Sequence, residues 1–224
     1  MTLLRSVLLA ILTISLAPAE PLNVLLARLD KSAPSAVSFS ATVRQVDYSA
    51  VVDHTAESQG AIRLKRTRGG VVGVVDYSAP SPNTVHFTGD NLEKYLPKAN
   101  MLEIYAYGKY SKSVDQYLLL AFGVSGADLQ KNYGIALGGE ETIAGVKTTR
   151  VDLTPKDKEV LKLFTKIELW IPEGQTYAIQ EKLYKAGGKD TLTWIYTDAK
   201  LNPALPDAAF DFKPPPGVSK RNMK

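Results

Sequence analysis

His54 and His86 are the only histidines of the chain, and neither stands in an H-x-x-x-H or H-E-x-x-H spacing that would hold a metal. Cysteine is absent, which removes thiolate nucleophiles, sulfur-ligated metals and disulfides together. There is no G-x-S-x-G elbow and no Walker-type phosphate loop. Glu140 and Glu141 could furnish paired carboxylates, but adjacency along the chain does not set a catalytic separation, and acidic pairs in loops are normally just solvated. The residues predict a protein that is not an enzyme and carries no cofactor.

The segment IRLKRTRGG, residues 62 to 70, is the densest cationic stretch. A strand alternates its side chains between faces, so Arg63 and Lys65 share one face while Ile62, Leu64 and Arg66 share the other. Arg68 then belongs to the turn at Gly69-Gly70. A nucleic-acid patch would place all four cations on one side, interleaved with aromatics for stacking, and the stretch has no aromatic residue. Arg66 is left in phase with apolar neighbours, where a guanidinium needs hydrogen-bond partners. Its head either reaches water along a packed stem or crosses a cavity mouth to carbonyls of a covering helix. Phase alone allows both.

Leu22, Leu25, Leu26 and Leu29 form the stripe of an amphipathic helix that ends before Pro34. From Val37 the period becomes two, with Val37, Phe39, Ala41 and Val43 alternating against Ser38, Ser40, Thr42 and Arg44. Strands are predicted over 60–67, 71–77, 84–87 and 101–107. A helix follows with Val114, Tyr117, Leu118, Ala121 and Phe122 on one face and Ser113 with Gln116 as a capping box. A second short helix is expected to start at Ser125, with Asp128 in the matching place. Further strands are predicted from 133, over 147–153, 165–171, 176–184 and 191–197. The assembly these elements predict is α+β: an incomplete, strongly curved antiparallel β-barrel with helices placed between two blocks of strands and at the N-terminus. The helices either cap a cavity or simply bury the sheet's open face.

Residues 1–19 have the layout of a cleavable secretory signal: Arg5, an apolar run from Val7 to Leu16, and the small-x-small site Ala17-Pro18-Ala19 before Glu20. The run is shorter than the ~20 residues of a membrane span. A single domain over 20–224 is expected, soluble and exported to the periplasm, with no cysteine for lipid attachment. The formal charge of +4 drops by one when Arg5 leaves, and Lys220, Arg221 and Lys224 account for a surplus of that size. The remaining body is near neutral, which argues against a dedicated nucleic-acid partner.

GAIRLKR (60–66), YSAPSPNTVHFTGDNLEKY (77–95) and FDFKPPPGV (210–218), in this order with RLDK (28–31) and SFSATVRQ (38–45) before them, resemble the family of the periplasmic outer-membrane lipoprotein carrier LolA. The chain departs from that pattern at Thr67, where a proline often follows the arginine, and over 69–77, which lack the usual Phe-Arg-Trp signature. The resemblance implies a helix-covered, incomplete barrel whose hydrophobic cavity takes the acyl chains of lipoproteins. It also implies an inner-membrane lipoprotein-releasing transporter as donor, an outer-membrane acceptor and a monomeric carrier, and it gives Arg66 the role of holding the helical lid shut. Phe39, Val43, Ile62, Leu64, Arg66, Leu118 and Phe122 are the candidate cavity and lid residues. Within the same fold, a lipid- or lipoprotein-sensing envelope protein is the alternative, and a structural protein with a filled interior is a third.

Overall fold

A computed structural model describes residues 20–108, 111–187 and 189–223. The signal-like segment 1–19 lies outside them, as do the side chains of the Ser113 and Gln116 capping box.

Twelve strands form one sheet in the order β12-β6-β5-β4-β3-β2-β1-β11-β10-β9-β8-β7. Its left half is a meander of β1 (Ser38–Ser49), β2 (His54–Thr67), β3 (Gly70–Ala79), β4 (Asn83–Phe87), β5 (Asn91–Leu96) and β6 (Met101–Ala106). The right half is a second meander of β7 (Tyr133–Ile143), β8 (Val146–Pro155), β9 (Phe164–Pro172), β10 (Gln180–Lys185) and β11 (Thr191–Leu201). The halves join where β1 pairs with β11, and all these ladders are antiparallel. The short β12 (Ser219–Met223) adds to β6 in parallel.

Helix α1 (Leu22–Ser32) buries Leu25, Leu26 and Leu29, the predicted stripe. It packs with β8, β9 and β10 through Val151, Leu153, Ile167, Leu169 and Leu183. Between the meanders lie α2 (Ser111–Leu120) and α3 (Gly126–Asn132), and a single turn, α4 (Lys158–Leu161), precedes β9. Ser125 caps α3 by accepting from the Asp128 N–H at 2.9 Å. The first residue of α3 must be small, because a Cβ on Gly126 would come within 2.5 Å of the Leu26 carbonyl oxygen. That close crossing fixes α3 to α1, and Asp30 reinforces it by accepting from the Ala127 N–H at 2.9 Å.

Two strands escape the period-two reading. In β5, Leu92 and Leu96 face one way with Lys94, and Tyr95 faces the other with Glu93, so every residue is half-buried and no face is dry. β12 has no apolar stripe at all; it is held by edge pairing and by contacts of Asn100 with the backbone of Gly217 and Ser219. The strand predicted from Thr176 begins instead at Gln180. The segment before it leaves the ladder because the Ala178 N–H donates to the Ala121 carbonyl, at 3.1 Å, just past the end of α2.

Candidate functional site: an aromatic cleft beside a pinned turn

The concave face of the sheet is in part packed and in part open. Phe39, Val43, Ile62, Leu64, Leu118 and Phe122 all belong to one buried cluster. Phe39 and Phe122 are fully buried, their rings stacked at 5.7 Å, and Tyr196 meets Phe39 edge-on at 5.6 Å. The six apolar candidates are therefore brought together, but as a solid floor in which Phe122, from the turn after α2, plugs the interior.

Beside that floor lies an open cleft of about 460 Å³, within the roughly 300–1,000 Å³ of small-molecule sites. Its walls are Tyr77, Val85, Phe87 and Leu92 from β3 to β5, Tyr105 and Tyr107 from the region of β6, and Tyr117, Phe164, Leu192 and Trp194 from the other side. Strands near opposite ends of the sheet thus share one cleft, which requires strong curvature. The inner-face residues of β1 run from Phe39 through Ala41 and Val43, all buried, to Gln45, which lines the cleft. None of the seven candidates lines it. The residues that do alternate in β6 and β11, yet the same alternation marks core positions, so phase could not separate wall from floor.

Polar groups in the cleft are few. The Tyr77 hydroxyl donates to Gln45 Oε1. Burial pushes the Tyr77 phenol well above its ordinary range, so it stays neutral and remains a donor. Lys94 reaches the cleft from β5. The Trp194 Nε1–H is buried with no partner among the described residues.

Arg66 crosses from β2 to the turn after α2, where its Nη2 donates to the Gly123 carbonyl at 2.7 Å. Gly123 leaves the space for this: a Cβ there would sit 2.7 Å from that same nitrogen. With the Ala178 bond to Ala121, the turn after α2 is pinned from β2 on one side and from the approach to β10 on the other. The opposite-phase cations are engaged outside the concave face, Arg63 with Asp76 at 2.5 Å and Lys65 with Asp207 at 2.5 Å.

Glu181 on β10 is a site residue outside the sequence-based candidates, although it stands in phase with Ile179 and Leu183. It is 1 % exposed, hydrogen-bonded with Tyr196, and its Oε1 has no partner among the described residues. Tyr117 from α2 and Tyr133 from β7 approach it, and its cross-strand neighbours are Leu169 and Trp194. Desolvation, only partly offset by the Tyr196 bond, raises its carboxyl from 4.5 to about 8. A carboxyl raised in the folded state binds its proton more tightly there than in the unfolded chain. Its contribution to stability is full below 4.5 and is lost as pH rises through about 8. Glu181→Gln, which mimics the protonated form, should remove this dependence. The urea-unfolding free energy of wild type relative to the variant should fall across that window by up to about 1.4 kcal/mol per pH unit. Parallel pH profiles for the two proteins would mean that Glu181 does not titrate there.

The remaining polar candidates are structural. Glu140 pairs with Lys147 at 2.9 Å, and Glu141 binds Arg150 and the Trp170 indole N–H. His54 is exposed at the start of β2, and His86 packs its ring near Phe212. Among the described residues no group of three or more His, Asp or Glu side chains is arranged to hold a metal, and no helix is long and apolar enough to cross a membrane.

No family model matches the chain, and no curated protein matches it in sequence. In structure it is similar to an uncharacterized conserved protein from Thermus thermophilus, with a TM-score of 0.53 and 15% identity over 89% of this chain and 97% of that one. MucB matches with a TM-score of 0.50 and 16% identity over 84% of this chain and 62% of that one. A LolA superfamily protein from Nitrosomonas europaea aligns over 87% of this chain and 99% of that one, at 17% identity and a TM-score of 0.40. What the chain shares with the first two of these is a fold; here it is α+β, one large and largely antiparallel curved sheet with few helices.

Proposed function

We propose that the protein binds acyl chains in the cleft beneath α2 and carries them, as lipid or as lipoprotein, across the periplasm between an inner-membrane releasing transporter and an outer-membrane acceptor. The observation that carries this reading is the open aromatic cleft of about 460 Å³ next to a lid turn held by Arg66. A filled structural core would have no such space. Apolar walls suit a hydrocarbon chain, whose burial is favourable by about 0.8 kcal/mol per methylene. Lys94 and the unpaired Trp194 N–H supply a cation and a donor for the polar end of such a ligand. On this reading residues 1–19 are an export signal and 20–224 a single carrier domain, acting as a monomer.

The purified protein should bind a fluorescent fatty-acyl probe with micromolar or better affinity, about 8 kcal/mol or more. Tyr105→Asp should weaken binding without unfolding the protein, because Tyr105 is 36% exposed on the cleft wall. Absence of saturable probe binding by the wild type would refute the proposal.

A further inference from the structure

Val51 and Val52, at the tip of the β1–β2 hairpin, are 89% and 69% exposed. A hairpin tip is an unusual place for two adjacent aliphatic residues, since turns favour Gly, Asn, Asp and Ser. The tip is braced: the Ala50 N–H donates to Asp190 Oδ1 at 2.8 Å, and the Tyr48 hydroxyl donates to Asp53 Oδ1 at 3.1 Å. The first of these bonds ties it to the neighbouring β10–β11 turn. That turn is tied in its own right to the segment before β9, because the Ala186 N–H donates to the Leu163 carbonyl at 2.8 Å. Leu163 is itself 56% exposed. Three tips therefore stand side by side at one end of the sheet, presenting Val51, Val52 and Leu163, with Lys189 beside Val51.

This end is also the one toward which the cleft extends. Gln45, Ser58, Phe164, Leu192 and Trp194 line the cleft, and they sit on β1, β2, β9 and β11 in the halves nearer the three tips. On the concave face between cleft and tips, Lys185 pairs with Asp47 at 2.7 Å. From the cleft outward the order is thus apolar walls, a half-exposed ion pair, then projecting aliphatic tips. We propose that Val51, Val52 and Leu163 form a docking tip that inserts into the surface of a phospholipid bilayer and sets the cleft beside it.

A lipid surface fits better than a protein. Three aliphatic side chains on projecting turns fall far short of the roughly 800 Å² per partner that a stable protein interface buries. Aliphatic residues at the extreme tips, backed by polar groups with charges of both signs, Lys189 beside Asp190 and Asp53, match the layered acyl and zwitterionic headgroup zones of a bilayer. The biological sense of the docking rests on the acyl-cleft reading, since a carrier loading from a membrane needs its cavity at the surface.

The test is flotation with vesicles made of equal parts phosphatidylethanolamine and phosphatidylglycerol. Wild type should float with them, and V51D/V52D should reduce the bound fraction about tenfold or more. Val146→Asp should float like wild type, because Val146, 43% exposed, lies at the opposite end of the sheet beside Glu173 and Asp198. Because the chain has no cysteine, Val52→Cys can be labelled at a single position with an environment-sensitive dye, whose emission should shift to the blue on vesicle addition. In solution V51D/V52D should bind the monomeric acyl probe as wild type does. Failure of wild type to float, equal flotation of V51D/V52D, or a tip-dependent dimer in place of vesicle binding would each overturn the docking tip. Loss of probe binding in wild type with flotation intact would overturn the cleft reading alone.

Discussion

Phe39→Ala should lower the free energy of unfolding by about 3–5 kcal/mol, the usual cost of removing a large aromatic side chain from a close-packed site. Phe39 is 0% exposed and lies among Phe122, Tyr177 and Tyr196, whose ring centres are 5.6 to 6.2 Å away. The cavity left behind would be walled by aromatic rings from β1's neighbours and from the lid, which cannot all collapse into it. Urea denaturation gives the loss directly as a lower midpoint at unchanged slope. Affinity for an acyl probe, measured well below that midpoint, should change little, because Phe39 belongs to the floor. Weaker probe binding at unchanged stability would place Phe39 on the cleft wall instead.

Arg66→Leu should shift the lid toward an open state by roughly ten- to a hundredfold. The basis is the single charge-assisted hydrogen bond to the Gly123 carbonyl, at 2.7 Å, since such bonds contribute about 1.5–3 kcal/mol. The variant should accept acylated cargo at least as well as wild type and release it poorly to an acceptor. The bond from Ala178 to Ala121 remains, so the lid is loosened rather than lost. Arg63→Leu and Lys65→Leu should leave transfer unchanged, because their partners, Asp76 and Asp207, lie away from the lid. Equal transfer defects in all three variants would dissociate the lid from Arg66. Hydrogen exchange at the amides of residues 121–124 offers a second measure, with faster exchange expected only for the Arg66 variant.

The elements that announce themselves in the sequence are those with one dry face. The Leu22 to Leu29 stripe, the alternation of Phe39, Ala41 and Val43 and the Ser125 cap reappear in α1, β1 and α3, whereas Val37, expected on the same dry face, lies just before β1 and is 51% exposed. Arg66 is legible as an arginine in phase with Ile62 and Leu64, with carbonyls of a covering helix as one of its two readings, but which carbonyl accepts is not. The partner is a backbone carbonyl that any residue could provide, at a glycine whose spacing from Arg66 carries no pattern. The cleft was illegible for a related reason. Alternation tells inside from outside, whereas wall and floor are both inside and differ only in how far the neighbouring strands have curved away. Glu181 is in phase with Ile179 and Leu183 on the predicted strand, as Arg66 is with Ile62 and Leu64, so its inward face is legible; what the sequence does not carry is its partner, Tyr196 on the neighbouring strand.

The strand order has a consequence for how the chain reaches this shape. Each meander is built from neighbouring strands and closes short loops, whereas the seam between β1 and β11 unites the two ends of the chain. The Val37 N–H, for example, bonds Asn202 Oδ1 across 165 residues. Closing so long a loop is entropically expensive before its contacts repay it, so the seam is a late event in folding. Until it forms, β1 and β11 are exposed edges of two separate half-sheets, each able to pair with the wrong partner. The chain is therefore most vulnerable to aggregation while both halves are already folded, in the interval before they meet.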